Sequence, residues 1–302
     1  MPSTIRGLRI LVTGATSGVG EALVATLAER GAEVLIHGRD RARVAAVGEC
    51  SRIGAERRFV ADLSRLTEVW QLGRAASARG PLDVLVNNAG VGFGRDRKQR
   101  ELSADGFELR FAVNFLAPFV LTESLLALGS PRRAVVNVAS AGQALPDHND
   151  LMSERGYDGV LAYRRSKLAL IADTFERASR DRSRSYVALH PGTFLATKMV
   201  LEAGIPSQGS AQSGADAALS VIERALGGET GIYFDTDRTS EPDAWASSRE
   251  QQRVPGRRNC THLHARALRQ SEGACARSDI SGEERPCTQS WAGGEPSAAH
   301  AR

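Results

Sequence analysis

The sequence predicts one α/β domain built on a doubly wound parallel sheet. Short runs rich in Val, Ile and Leu alternate with amphipathic stretches over the first 235 residues. These runs are apolar throughout rather than at every second position, and a glycine-rich turn follows the first of them. Strands of that kind belong to a sheet covered on both faces, and intervening helices make it parallel. The right-handed crossover rule leaves the doubly wound order as the economical topology.

The elements follow in order. LRILVT (8–13) is a buried strand, and EALVATLAERG (21–31) has apolar residues at helical spacing with Gly31 as its stop. EVLIHG (33–38) is the second strand, with a helix over about 40–53, and RRFVAD (57–62) is the third, with a helix over 67–80. LDVLVNN (82–88) is followed by a long helical stretch over about 105–128, and RRAVVNVAS (132–140) is the fifth strand. A helix over about 158–179, the strand SYVALHPG (185–192), a helix over 212–226 and the short strand GIYFD (231–235) complete about seven strands. The domain is therefore drawn as 1–236. Residues 237–302 are rich in Arg, Ser, Gly, Ala and Pro without sustained periodicity, and read as a poorly ordered tail with room for a short helix near 242–252. One reading of the stretch after about 250 is a shifted reading frame.

Composition narrows the function classes. Of 302 residues 42% are hydrophobic and 25% charged, an ordinary soluble balance. The net charge of +4 is too diffuse to argue for nucleic acid. The N-terminal apolar run is too short for a signal peptide or membrane span. Cys50, Cys260, Cys275 and Cys287 lack paired spacing, and with His262 and His264 they match no compact zinc pattern, so no metal is assigned. A reduced cytoplasm is the expected location.

Between the first strand and helix stands TGATSGVG, with Gly14, Gly18 and Gly20. Such a turn lets backbone N–H groups approach a pyrophosphate at the helix N-terminus, whose partial positive charge assists. The strand before it and the helix after it carry the argument, because tight turns use glycine anyway. Downstream come NNAG (87–90), Asn114, Ser140, YRRSK (163–167) and HPGT (190–193). In that order and at those strand ends, the chain from residue 8 to about 235 resembles the short-chain dehydrogenase/reductase family, a Rossmann-fold family. Within it, the chain resembles the retinol-dehydrogenase-like or bacterial oxidoreductase branch.

The resemblance implies an NAD(P)(H)-dependent oxidoreductase acting on a carbonyl or secondary alcohol. It places Gly14, Thr16, Ser17, Gly18, Val19 and Gly20 around the phosphates and Asp62 and Leu63 near the adenine. Asn88, Ala89 and Gly90 fall beside the adenosine ribose, and Pro191, Gly192 and Thr193 along the cofactor. The second strand ends in HGRD (37–40), with Arg39 where cofactors bearing a free 2′-hydroxyl favour an acid. A guanidinium pairs well with a 2′-phosphate, so NADP(H) is preferred. NAD(H) stays open through Asp40, which could instead cap the next helix.

Tyr163 and Lys167 stand four apart, on one helix face. An ammonium about 4 Å from the phenol in a partly buried site contributes up to about 4 kcal/mol. Since 1.36 kcal/mol corresponds to about one pK unit, the phenol would move from about 10 toward 7 and serve as general acid/base. By resemblance, Lys167 also holds the nicotinamide ribose. Ser140, at the carboxyl edge of the fifth strand, would hydrogen-bond the substrate oxygen. Asn114 resembles the family asparagine that positions a water for proton relay to the lysine. Ser140 and Asn114 also have plain readings as turn or cap residues. Arg164 and Arg165 read as solvated, Ser166 as packing on the cofactor side, and His190 as structural.

Two departures from the family stand out. Ser140 and Tyr163 are 23 apart (163 − 140), wider than in many members, and the insertion AGQALPDHNDLMSERGYDG should line the substrate cleft. Leu195, Met199, Val200, Leu201 and Ile205 fit an apolar lid over 193–212, so a moderately bulky apolar substrate is expected. The tail is the second departure, because relatives end in an ordered segment that closes the site. The expected partners are a small-molecule carbonyl or alcohol and a second or further copies in a homodimer or homotetramer. A catalytically silent NADP(H)-binding regulator is the alternative. An epimerase or dehydratase would call for a different glycine spacing and a longer C-terminal domain.

Overall fold

The computed structural model describes residues 5–247, apart from 148, 198–199, 202–203 and 205. Met199, Ile205 and the cysteines and histidines beyond residue 259 lie outside the described residues, as does the stretch read as a frame shift.

One sheet organises the chain. β1 (Arg9–Val12), β2 (Glu33–Gly38), β3 (Arg58–Val60), β4 (Val84–Asn87), β5 (Ala134–Val138), β6 (Ser185–His190) and β7 (Ile232–Asp235) are parallel, and β8 (Arg238–Ser240) is antiparallel at the edge. The order is β3-β2-β1-β4-β5-β6-β7-β8. It reverses direction between β1 and β4, which opens the crevice where doubly wound sheets bind ligands. The helices are α1 (Gly18–Glu29), α2 (Arg41–Cys50), α3 (Leu66–Ser77), α4 (Leu109–Leu126), α5 (Gly159–Arg180), α6 (Ala211–Leu226) and α7 (Ala244–Ser247).

The period-2 geometry of a strand distributes the apolar residues between two cores. Ile10, Val12, Val34, Ile36, Val84, Val86 and Val136 face α1, α2 and α6. Leu11, Leu35, Leu85 and Val135 face the layer of α3, α4 and α5. At the centre Asn87 donates to Asn137 at 2.8 Å, and Asn137 to Thr174 of α5 at 2.9 Å. This buried polar chain fixes α5, and with it the site, against the sheet.

The eighth strand was not among the seven expected. Two-residue turn chemistry at Thr236 (φ +58°) and Asp237 returns the chain beside β7, and the run RTS is too short and polar to register as a strand. The fold therefore continues past 236. Trp245 and Ala246 of α7 are buried against Leu168, Ile171 and Ala172 of α5. α4 is long and apolar enough to cross a bilayer, yet it is largely buried inside the protein, as a core helix of this layer should be.

Candidate active site

The site lies where β1, β4 and β5 end and α5 passes. After β1 the chain turns through Gly14, whose φ of +63° suits glycine, and an added Cβ there would lie 2.8 Å from the Ala89 Cα. At Gly20 a Cβ would strike the Gly14 carbonyl and the Asn88 amide. Both glycines thus let the turn after β1 close against the end of β4.

The turn is pinned by Thr13 and His37, to which the sequence assigned no role, and by Asn88, which it placed beside the adenosine ribose. Thr13 Oγ1 accepts from the Asn88 and Ala89 amides at 3.0 and 3.1 Å. Asn88 Nδ2 donates to the Thr13 and Gly14 carbonyls at 2.8 and 3.2 Å. Asn88 therefore spends its amide on shaping the turn. His37 is buried, with Nε2 3.0 Å from the Ala61 carbonyl and Nδ1 3.4 Å from the Gly14 amide. With Nε2 donating, Nδ1 accepts, and a neutral ring spans β2, β3 and the glycine turn. Burial pushes its pKa down to about 4, which keeps it neutral.

The cradle fits a dinucleotide. Ser17 is exposed at the N-cap of α1 and makes no side-chain cap, so the helix N-terminus is not closed by its own side chain. Thr16 stands beside Gly38, and Val19 is buried beneath the turn. Thr197, from the segment predicted as a lid, lies over Gly18, where an added Cβ would come within 2.9 Å of its methyl. Arg39 is exposed just outside α2, while Asp40 caps that helix by accepting from the Arg43 amide at 3.0 Å. Asp62 accepts from the Ser64 amide at 2.9 Å, and the Leu63 side chain turns into the core. Gly90 is half-buried. Pro191 and Gly192 follow β6, and Thr193 bonds to the buried His190 at 3.1 Å.

The four polar residues predicted to do chemistry come together. Asn114 lies in a π-helical turn of α4, Ala112–Leu116, where the ladder loosens. It is fully buried; Nδ2 donates to the Val91 carbonyl and to Ser166 Oγ, each at 3.1 Å, and Oδ1 accepts from the Val91 amide at 2.8 Å. Ser166 donates in turn to the Tyr163 carbonyl at 2.7 Å and is a buried link to Asn114. Arg164 is exposed, whereas Arg165 is half-buried and approaches Ser153.

Lys167 Nζ donates to the Val138 carbonyl at 2.8 Å and lies 5.8 Å from the Tyr163 ring centroid. The electrostatics differ from the sequence expectation. Burial pushes the Tyr163 phenol up, partly offset by the Ser140 hydroxyl, and pushes Lys167 down to about 8. Both groups have left water, which disfavours their charged forms, and the ammonium donates to the Val138 carbonyl. The lysine therefore does not by itself bring the phenol to neutrality.

Two further residues join the site from distant sequence. Gln143, in the insertion, donates to the Ser140 carbonyl at 3.2 Å and accepts from the Asp243 amide at 2.8 Å. Tyr233 of β7 is buried near Tyr163 and Gln143, and its phenol is pushed up to about 12 by burial and Asp235. No sequence signal marks either, because their meeting depends on where β7 and α7 run. Among the described residues no group of acidic, His or Cys side chains could hold a metal ion.

The short chain dehydrogenase family matches residues 9–204. The chain belongs to this family of oxidoreductases. Mouse retinol dehydrogenase 14 is 38% identical over 213 residues, covering 63% of this chain and 62% of that protein. An uncharacterized oxidoreductase of Emericella nidulans is 33% identical over 194 residues, covering 64% of this chain and 72% of its own length. The crystal structure of a Burkholderia cenocepacia short chain dehydrogenase in complex with NADP superposes with a TM-score of 0.62 at 27% identity, covering 78% of this chain and 98% of that one. The chain spans less than two thirds of the mouse relative. The family match and this superposition agree on the short-chain dehydrogenase fold.

Proposed function

We propose that this short-chain dehydrogenase reduces carbonyls with NADPH, acting on moderately bulky apolar substrates in the cytoplasm. The observation that carries this reading is the convergence of Ser140, Tyr163, Lys167 and Asn114 at the carboxyl edge beside the glycine turn. When bound, the nicotinamide supplies the hydride. Gly14 to Gly20 and the N-terminus of α1 would hold its phosphates, and Lys167 its ribose. Ser140 Oγ donates to the substrate oxygen, and Tyr163 Oη delivers the proton that turns that oxygen into a hydroxyl. A phenol pushed up by burial holds its proton at neutral pH, which supports the reductive direction. A lysine titrating near 8 remains mostly charged there and stabilises the tyrosinate left behind.

Arg39 favours NADPH because it is exposed at the end of β2 while Asp40 is engaged as a cap. Leu145, Leu161, Phe194 and Leu201, all exposed on the insertion, α5 and the lid segment, support an apolar substrate. Assembly as a homodimer or homotetramer is part of the same proposal, checked by light scattering after size exclusion. No observation favours the silent regulator, since none of the four residues is missing.

The test follows absorbance at 340 nm with NADPH and NADH against ketones of graded size. Turnover is expected with NADPH, and Tyr163→Phe should lower kcat about 10²- to 10⁴-fold with cofactor binding intact. Cofactor binding without turnover of any carbonyl would overturn this reading.

A further inference from the structure

The phenol of Tyr163 has a neighbour that the reaction as described does not use. Phe93 sets its ring edge-on to Tyr163, with centroids 5.1 Å apart and planes at 88°. It is half-buried on the loop after β4. A partly exposed aromatic on a loop would ordinarily be free to swing. The backbone of this one is held from two sides.

Asn114 holds Val91 through both its amide and its carbonyl, at 2.8 and 3.1 Å. One helical turn earlier, Arg110 Nε donates to the Gly92 carbonyl at 3.0 Å. Positions i and i+4 share a helix face, so α4 grips two consecutive residues of the loop from one side. On the other side the Phe93 carbonyl abuts Gly159, where any side chain would strike it, and the Gly159 amide donates to the Arg97 carbonyl at 2.8 Å. The Arg97 guanidinium lies 5.7 Å from the Phe93 ring centroid. Arg110 is itself 1% exposed and is held by Glu108 at 3.3 Å, by Tyr157 at 2.9 Å and by Glu101. Burying a guanidinium with this full set of partners is costly unless its geometry is used.

We infer that Phe93 is the specificity-determining wall of the substrate site, clamped over Tyr163 by Arg110 acting as a positioning residue. The inference rests on the proposed carbonyl chemistry of that site. A rigid aromatic beside the proton donor limits the width of a carbonyl substituent on that side. It also shields the phenol from bulk water. The titratable and charged groups facing Tyr163 are Lys167 on its own helix, Tyr233 from β7 and Arg97 across the Phe93 ring.

The test uses the full chain, with Phe93→Ala and Arg110→Lys as variants. In Phe93→Ala the ratio of kcat/KM for a bulky ketone over a small one should rise about 10-fold, the scale on which apolar pockets discriminate. Arg110→Lys keeps the charge but loses the fork, and should shift the ratio the same way. The double variant should be no further changed than Phe93→Ala alone, because both act through one ring. A second measurement needs no turnover: ultraviolet difference titration, with Tyr163→Phe to isolate this phenol, should show it ionising at lower pH in Phe93→Ala. An unchanged selectivity ratio, or an unchanged phenol titration, would overturn the inference even if Arg110→Lys failed to fold. A wild-type protein inert toward every ketone, with the phenol titration shifted in Phe93→Ala, would sink the carbonyl reading and leave the shielding role of Phe93 standing.

Discussion

Lys167 Nζ is tied to the carbonyl of Val138, two residues before Ser140, at 2.8 Å. That bond ties the lysine to the end of β5. The lysine Nζ lies 5.8 Å from the Tyr163 ring centroid. Because burial lowers Lys167 to about 8, its charge is lost as pH rises through that value. NADPH-dependent ketone reduction is expected to fall above about pH 8, in both cofactor affinity and rate, as read from a pH profile of kcat and kcat/KM. Stability has its own sign: the unfolded lysine ionises near its ordinary value of 10.5, so the burial penalty is fully present below about 8 and fades as pH rises toward 10.5. Lys167→Met should remove this rise in Tm and, with it, the activity.

His37 has the same sign in an acidic window. Its folded value of about 4 lies below the ordinary 6.5, so between these the unfolded chain binds the proton that the folded one refuses. Stability from this group is fully present above about 6.5 and declines as pH falls toward 4. Denaturant midpoints for wild type and His37→Gln, measured from pH 7 to 4.5, should converge at the acid end. Parallel curves would show that folding does not lower the proton affinity of the ring.

Arg39 is the residue on which cofactor choice is expected to turn. Arg39→Asp should weaken NADPH relative to NADH by about 10-fold or more, through loss of a charge-assisted pair and gain of repulsion toward a 2′-phosphate. The ratio of kcat/KM with the two cofactors measures it. Asp40→Ala should leave that ratio within about twofold while costing roughly 1 kcal/mol of stability as a lost helix cap.

The end of the fold is a fourth test. A chain ending at Ser247 is expected to keep its turnover, whereas one ending at Thr236 loses β8, α7 and the amide that Gln143 accepts. Trp245→Ala alone should cost about 3 kcal/mol or more, since the ring is buried against α5. Thermal melts and ketone reduction on the three chains separate a structural closure from a dispensable extension. Equal activity of the chain ending at Thr236 would show that α7 takes no part in the site.

Sequence by itself determined the alternation of strands and helices, the position of the glycine turn and the helix face shared by Tyr163 and Lys167. Those properties are local: a strand buried on both faces must be apolar throughout, and a backbone forced through φ +63° at Gly14 calls for glycine. Tertiary structure alone decided how the charges behave and which remote groups meet. The Tyr163 phenol rises because α5 is pressed into the sheet, a desolvation that no spacing of four residues encodes. Asn88 turned out to shape the turn, and Ser166 to serve Asn114, because each hydrogen bond depends on a partner more than fifty residues away. Gln143 meets Asp243 across 100 residues only because β8 folds back beside β7, and the three polar residues of that strand carry no periodicity from which this could be foreseen.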